Sequence, residues 1–383
     1  MKILFACGGT AGHINPGLSI AAELKKRRPD AVIRFAGNPD GMEARLVPGA
    51  GFDFVPFRAM GIQRRLTPYN IYRNVKSVCL LVTAEARARK VIRAFGPDLV
   101  VGTGGYVSGP ILLTAAKQGI PTATHEQNAF PGVTTKLLSK RVDKVLLAVE
   151  KAKDHLPEGT GEKCSVTGNP VRPEVLTEER AAARRKCGVP EGAVCILSFG
   201  GSLGAQRVNE AVADVMAWHL GRDRGPGIYH IHATGQYGVE LLPRLLEERK
   251  APWKGSPALD IREYIDDMPT CLAAADLVIC RAGASTLSEL TAAGRASILI
   301  PSPNVAENHQ YHNAMVLQNA GAALVVEEKD LTGPGLVKLV EQLVVDPGRL
   351  KELGENAKKL AKPRAVEEIA AQLLALAGEG KEK

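Results

Sequence analysis

The sequence predicts an α/β protein of two doubly wound domains, and three observations predict it. Short apolar runs alternate with helical patterns through the first half of the chain. A second series of the same kind begins at residue 194. Both series contain one device, a strand running into a glycine loop and then a helix, in FACGGTAGH and in SFGGSLGAQ. Such alternation is the pattern of parallel strands joined by right-handed helical crossovers. At 383 residues, 45% hydrophobic and 4% aromatic, the chain has the length for two cores.

The first series runs KILFAC (2–7), VIRFAG (32–37), DLVVG (98–102), TATHE (122–126) and KVLLAV (144–149). CSVTGNPVRPEVL (164–176) then brings turn formers in close order without helical period, which puts the inter-domain connection near 163–170. The second series runs VCILSFG (194–200), IYHIHATG (228–235), LDIREYI (259–265), DLVICRAG (276–283) and SILIPS (297–302). Helices rich in Lys, Glu, Ala and Leu finish the chain before a charged tail, GEGKEK. The expected domains are 1–165 and 166–383, with a C-terminal helix able to pack back on the first.

Composition excludes several classes. Glycine and proline, 39 and 24 of them, are spread without period, so collagen, mucin and linker readings drop out. The seven cysteines form no CxxC pair and are odd in number, which favours reduced, buried thiols over a disulfide framework or a zinc site. Gly8 and Gly9 follow the first apolar run with no cleavage region, so no secretory leader is expected. No run of about 18 apolar residues occurs to span a bilayer. A formal charge of +8 fits an anionic partner: nucleic acid, phospholipid or a phosphorylated substrate.

The chemistry sits in the loops. In GGTAGHINP, Asn15-Pro16 reads as a helix cap followed by a first-turn proline, so the helix should begin just after His13. The positive end of that helix would keep the imidazole neutral and able to take a proton; the alternative is a histidine that only hydrogen-bonds the loop. Neither glycine loop fits GxGxxG or GK[ST], which disfavours a dehydrogenase or a kinase. SFGGSLGAQRVNEA offers Ser202 and the amides of Gly201 to Ala205, suited to a diphosphate. CRAGASTLSEL leads into a helix with Ser285, Thr286 and Glu289, the last either a surface residue or an acceptor for ribose hydroxyls. PSPNVAENHQYHNA carries His309, Gln310, His312 and Asn313 without metal-ligand spacing, so sugar hydroxyls are the better match. VGTGGYVSGP and THEQNAFPG add polar loops to the first domain, and the loops of both domains are expected to line one cleft.

GGTAGHINPGLSIA, GGYVSGP, HEQNAFPG, TGNPVR, SFGGSLGAQRVNEAV, CRAGASTLSEL and ENHQYHNA, in this order and spacing, resemble the MurG family of peptidoglycan N-acetylglucosaminyltransferases, which have the GT-B fold. The resemblance runs from residue 1 to about 370. It implies that UDP-N-acetylglucosamine binds mainly to the second domain. Its sugar would pass, with inversion, to the 4-hydroxyl of the muramoyl sugar of a polyprenyl-diphosphate-linked muramoyl peptide. By similarity, Thr10, Ala11 and Gly12 reach the donor sugar or its phosphates, Asn128 contacts the sugar, and Arg172 and Ser202 hold the diphosphate. Main-chain groups at Ile265 would read uracil, Ala284, Ser285 and Thr286 line the phosphates, Glu289 takes the ribose and Gln310 the hexose hydroxyls. The acceptor diphosphate would lie around Gly104, Gly105 and Tyr106.

The chain departs from the family pattern in two places: His309-Gln310 stands where a Gln-Gln pair is common, and Ala282 where a serine is frequent. His13 is the first candidate for the base and Glu126 the second, both at strand ends. No cofactor, metal or nucleic acid is expected. A UDP-sugar 2-epimerase, a transferase with a soluble acceptor and a non-catalytic nucleotide-sugar sensor are the competing readings.

Location rests on another stretch. Between Arg58 and Arg93 the basic residues Arg58, Arg64, Arg65, Arg73, Lys76, Arg87, Arg89, Lys90 and Arg93 face the single acid Glu85. Leu66, Ile71, Val75, Val78, Cys79 and Val82 recur among them at helical spacing. A peripheral, salt-sensitive hold on an anionic inner-leaflet surface, on the cytoplasmic side of the inner membrane, is the expectation.

Overall fold

The computed structural model describes residues 1–59, 82–222 and 227–379. Its contacts divide the chain into two units, Met1–Pro170 with Arg364–Lys383, and Val171–Pro363.

In the first unit β1 (Lys2–Cys7), β2 (Val32–Gly37), β3 (Asp53–Pro56), β4 (Leu99–Gly104), β5 (Thr122–Glu126), β6 (Lys144–Leu147) and β7 (Cys164–Val166) form one sheet in the order β3-β2-β1-β4-β5-β6-β7. The paired strands are parallel. A parallel sheet is covered on both faces, which is why its central strands read as unbroken apolar runs. Helices α1 (Ala11–Arg27), α2 (Glu43–Gly49), α3 (Ala84–Phe95), α4 (Ser108–Lys117) and α5 (Val133–Ser139) supply the cover. The strand order reverses between β1 and β4, the position at which ligands bind open α/β sheets. The C-terminal helix Ala365–Glu379 belongs to this unit, where Ile369 and Leu373 are fully buried in one cluster with Phe5, Ile14, Ile20 and Leu24.

The second unit carries α6 (Pro173–Thr177), α7 (Arg180–Lys186), β8 (Val194–Phe199), α8 (Gln206–Leu220), β9 (Ile228–Ala233), α9 (Leu241–Glu248) and β10 (Leu259–Arg262). There follow α10 (Met268–Ala274), β11 (Leu277–Cys280), α11 (Ala284–Ala293), β12 (Ala296–Leu299), α12 (His309–Asn319), β13 (Leu324–Val325), α13 (Gly333–Val344) and α14 (Pro347–Lys359). Its sheet has the order β10-β9-β8-β11-β12-β13, reversing between β8 and β11.

Three expectations need correction. The helix after GGT begins at Ala11, not after His13. Thr10 takes the extended cap conformation, and its carbonyl accepts from the amides of His13 at 3.0 Å and Ile14 at 3.1 Å. Asn15 and Pro16 therefore lie inside α1, where the proline leaves the Gly12 carbonyl without its helical donor. Cys164–Val166, read as part of the connection, is the seventh strand, because it pairs with β6 before the turn at Gly168–Pro170. The far boundary of the second domain moves as well: Arg364–Lys383, placed within 166–383, falls in the first unit, where its apolar helix face is buried. Of the basic stretch, Arg64, Arg65, Arg73 and Lys76, with Leu66, Ile71, Val75, Val78 and Cys79, lie outside the described residues.

Candidate active site

The first unit holds its polar loops at the carboxyl ends of β1, β4 and β5, neighbours in the sheet. His13 stands in the first turn of α1 with Nδ1 3.2 Å from the Gly8 carbonyl. A carbonyl oxygen can only accept, so Nδ1 carries the proton and the lone pair of the neutral ring is on Nε2. Nε2 has no partner among the described residues. The main chain that carries the ring is held by the neighbouring loops. Thr103 Oγ1 donates to the His13 carbonyl at 2.8 Å, and Gln127 Nε2 donates to the Thr103 carbonyl at 2.9 Å, tying the three loops together.

Gly104 and Gly105 are glycines for a reason. Their φ angles are +109° and +83°, and a Cβ on Gly104 would stand 2.5 Å from the His13 ring. A Cβ on Gly105 would stand 2.2 Å from the Gly8 oxygen that holds that ring. Tyr106, which follows, is 59% exposed. With Pro110, Leu113, Leu137, Arg87 and Lys117, the last paired with Glu85, it lines a cavity of about 780 Å³ whose lining is mostly apolar.

Glu126, the second candidate for the base, is closed in by donors. Its carboxylate is 4% exposed. It accepts from Asn128 N and Asn128 Nδ2, both at 3.0 Å, from Gly132 N at 3.1 Å and from Thr135 Oγ1 at 2.5 Å. Four donors occupy the four lone-pair directions of a carboxylate, so Glu126 shapes the 127–132 loop and orients Asn128.

In the second unit the loops after β8 and β11 lie side by side where the sheet order reverses. Gly201 and Gly204 have φ +96° and +84°. Gly204 is pressed against the next loop, where a Cβ would meet the Thr234 oxygen at 2.3 Å. Asn209 Nδ2 donates to the same oxygen at 2.9 Å. Ser202 is exposed on this loop. Gly283 caps α11 in extended conformation with no side chain to bond the first-turn amides, which leaves Ala284, Ser285 and Thr286 to an anion.

Arg172 and Glu289, assigned to diphosphate and ribose, meet each other. Arg172 Nε and Nη2 donate to the two carboxylate oxygens at 2.6 and 2.7 Å, a bidentate pair across 117 residues of sequence. Gln310 accepts through Oε1 from Ala282 N at 3.2 Å and Ser302 N at 2.9 Å, fastening the loops after β11 and β12 and keeping its amide NH₂ for a ligand oxygen. The approach to α12 puts Glu307 and Asn308 at φ +53° and +49°, a left-handed pair in a loop next to Gln310. Ile265 lies between β10 and α10 with its side chain buried, so only its main chain is available to a base edge.

Two family models match the chain: the glycosyltransferase family 28 N-terminal domain over residues 3–147 and the C-terminal domain over residues 195–369. The UDP-N-acetylglucosamine--N-acetylmuramyl-(pentapeptide) pyrophosphoryl-undecaprenol N-acetylglucosamine transferase of Acetivibrio thermocellus is 44% identical over 369 residues, 96% of each chain. The enzyme of that name from Desulforudis audaxviator is 40% identical over 99% of this chain and 100% of its own. The chain belongs to this family of N-acetylglucosamine transferases. Among solved structures, Acinetobacter baumannii MurG superposes with a TM-score of 0.74 at 28% identity, covering 98% of this chain and 99% of that one. The two parallel-sheet units are those of the GT-B fold. A UDP-GlcNAc 2-epimerase from Neisseria meningitidis shares that fold at 13% identity and a TM-score of 0.64, a likeness of fold alone.

Within this family fold, sequence reading missed Glu43. Its buried carboxylate accepts from Asn38 N at 2.8 Å and Gly9 N at 3.3 Å, behind the loop that carries His13. A Cβ on Gly8, Gly37 or Gly41 would strike its side chain, so three glycines make its room. Together with burial, Glu43 pushes the neighbouring Cys7 thiol up to about 12, which leaves that cysteine inert. GNPDGME was the available signal: two glycines, Gly37 and Gly41, lead into the acid.

Proposed function

We infer that the chain transfers N-acetylglucosamine from UDP-N-acetylglucosamine, with inversion, to the 4-hydroxyl of the muramoyl sugar of a polyprenyl-diphosphate-linked muramoyl peptide, the lipid I to lipid II step of peptidoglycan synthesis. Near-full-length identity to transferases of that name carries the reading. His13 Nε2 is the general base: it removes the proton of the acceptor hydroxyl as that oxygen attacks the anomeric carbon and the bond to UDP breaks. The Gly8 carbonyl steadies the imidazolium that forms, through Nδ1–H.

The departing diphosphate gains negative charge as the bond breaks. Amides at Gly201 to Ala205 and at Ala284 to Thr286, with Ser202, would bind it, preorganised and at little reorganisation cost. Arg172 then has two partners to choose between, the diphosphate and Glu289; a donor that draws the guanidinium to its phosphates frees the carboxylate for the ribose hydroxyls. Thr10, Ala11, Gly12, Asn128 and Gln310 are assigned to the donor sugar, and main-chain groups of Ile265 to uracil.

The first unit is assigned the acceptor. Gly104 borders the His13 ring, Gly105 the Gly8 carbonyl that holds it, and Tyr106 the cavity of about 780 Å³, whose mostly apolar lining with Arg87, Lys117, Lys140 and Arg141 suits a carrier with a diphosphate head. No helix among the described residues is long and apolar enough to cross a membrane. Peripheral attachment to an anionic inner-leaflet surface, on the cytoplasmic side, is the form of association proposed, with each basic side chain near the surface worth about 1 kcal/mol.

The test is transfer of labelled N-acetylglucosamine to a short-chain polyprenyl-diphosphoryl muramoyl acceptor. Transfer that continues in chelator, with donor unchanged when the acceptor is left out, is the expected result. Conversion of the donor alone to an epimer would overturn the transferase reading.

A further inference from the structure

Cys187, Cys271 and Asp267 bring two thiols and a carboxylate together in the second unit, with one ligand atom of each lying within 4.8 Å of the others. The two sulfurs are 4.0 Å apart, and Cys271 Sγ is 3.7 Å from Asp267 Oδ1. The transfer chemistry uses none of them.

The local structure aims these groups at one point. Asp267 opens α10, a position where a carboxylate ordinarily turns back to the helix amides. Here it makes no such cap bond. It is turned to Arg262, whose Nη1 donates to Oδ1 at 2.6 Å, and to the thiol of Cys271 one helical turn on. Cys187 arrives from the end of α7, its carbonyl held by the Tyr229 hydroxyl at 2.9 Å.

The spacing separates two chemistries. A covalent bond would need the sulfurs to close from 4.0 Å to about 2.0 Å between packed elements. Two thiolates on one tetrahedral ion, each bound at about 2.3 Å, lie about 3.8 Å apart, and a thiolate and a carboxylate oxygen about 3.6 Å. Two edges, at 4.0 and 3.7 Å, match the tetrahedral face, and the third, from Cys187 to Asp267, lies within 4.8 Å and closes by rotation of the half-exposed carboxylate.

We propose that Cys187, Cys271 and Asp267 form a site for a thiophilic divalent cation, of the zinc or cadmium kind, separate from the transfer site. Asp267 is 47% exposed and gives the ion its way in. Each thiol gives up its proton as the ion enters, so one M²⁺ is taken up, two protons leave and no oxidation state changes. Arg262 acts as the outer partner that orients the carboxylate. Bound there, the ion pins the end of α7 to the start of α10 and fixes the 263–267 segment between β10 and α10.

Titration of the full-length, reduced chain with Cd²⁺ tests this. The expected result is a thiolate-to-cadmium ultraviolet band that saturates at one equivalent, release of two protons per ion, a rise in Tm, and displacement of Cd²⁺ by Zn²⁺. C187A/C271A should abolish the band. D267N changes only a half-exposed carboxylate and so keeps the fold; it should weaken Cd²⁺ binding at least as much as the roughly 10- to 100-fold that loss of an outer-shell partner costs. Absence of a saturable band, a band that survives in C187A/C271A, or D267N binding as tightly as the parent would overturn the proposal.

Discussion

The two units solve the same problem in different ways. Each ends its first strand in a glycine loop that enters a helix, and each braces that loop against a second loop through a glycine that admits no side chain: Gly105 on Gly8, and Gly235 on Gly204. In the first unit the brace is ionisable and holds an imidazole: Glu43 takes the Gly9 amide, and Gly8 takes Nδ1–H of His13. In the second the loop is braced by backbone and amide groups, the Thr234 carbonyl and Asn209, and presents amides and the Ser202 hydroxyl. On the proposed reading one loop moves a proton and the other holds an anion, and the difference in bracing is what supports that division.

Acid should separate the units with the largest effect. Behind β8, Ser198 Oγ lies 2.7 Å from His230 Nε2 and 2.7 Å from His232 Nδ1, and His219 packs on His230. Burial pushes His219 and His232 down to about 4 and holds His230 low as well. The unfolded chain therefore binds protons that the folded unit refuses. Stability is whole above pH 6.5, the ordinary histidine value, and drains as pH falls toward 4, by about 3 kcal/mol for each of these two histidines. The first unit has one buried histidine of this kind, His125, also lowered by burial. Hydrogen exchange, corrected for intrinsic rates, should show β8 and β9 losing protection before β1 and β4 as pH is lowered. Simultaneous loss would break the contrast.

Glycine substitutions come next. Gly105→Ala, at φ +83° and against the Gly8 oxygen, should displace the His13 support and cut turnover while leaving donor affinity in place. Gly204→Ala, at φ +84°, should do the reverse and weaken donor binding first. Each should also cost at least about 1–3 kcal/mol in denaturant titration from backbone strain alone. Equal effects of both variants on turnover and binding would erase the division of labour.

The smallest change expected is at Glu126. Glu126→Gln turns an NH₂ group toward donors that need an acceptor, a loss of about 1–3 kcal/mol in stability. Its pH–rate profile should match the parent's. Loss of the acidic limb of that profile, where a catalytic base is protonated, would return Glu126 to the role of base.

The central strands were legible because a parallel sheet covered on both faces must be apolar throughout, as KILFAC and VCILSF are. Three of the four edge strands were not: β3, β7 and β13 are half exposed and two to four residues long, so nothing forces an apolar run on them. The site loops were legible through their glycines. The start of α1 was misread because Asn15-Pro16 imitates a helix opening, while the cap that operates, Thr10, contributes its carbonyl and not its side chain. The Arg172–Glu289 pair was invisible for a different reason. Its members lie 117 residues apart, and only the fold brings them together.

The account rests most heavily on His13 Nε2. The measurement that tests it is the turnover of His13→Ala in transfer to the short-chain acceptor, set beside the dissociation constant for UDP-N-acetylglucosamine measured without acceptor. A base in the transition state predicts turnover lower by about 10²–10⁴-fold with donor affinity unchanged. Turnover that survives the substitution, or that falls only in proportion to donor affinity, would contradict it.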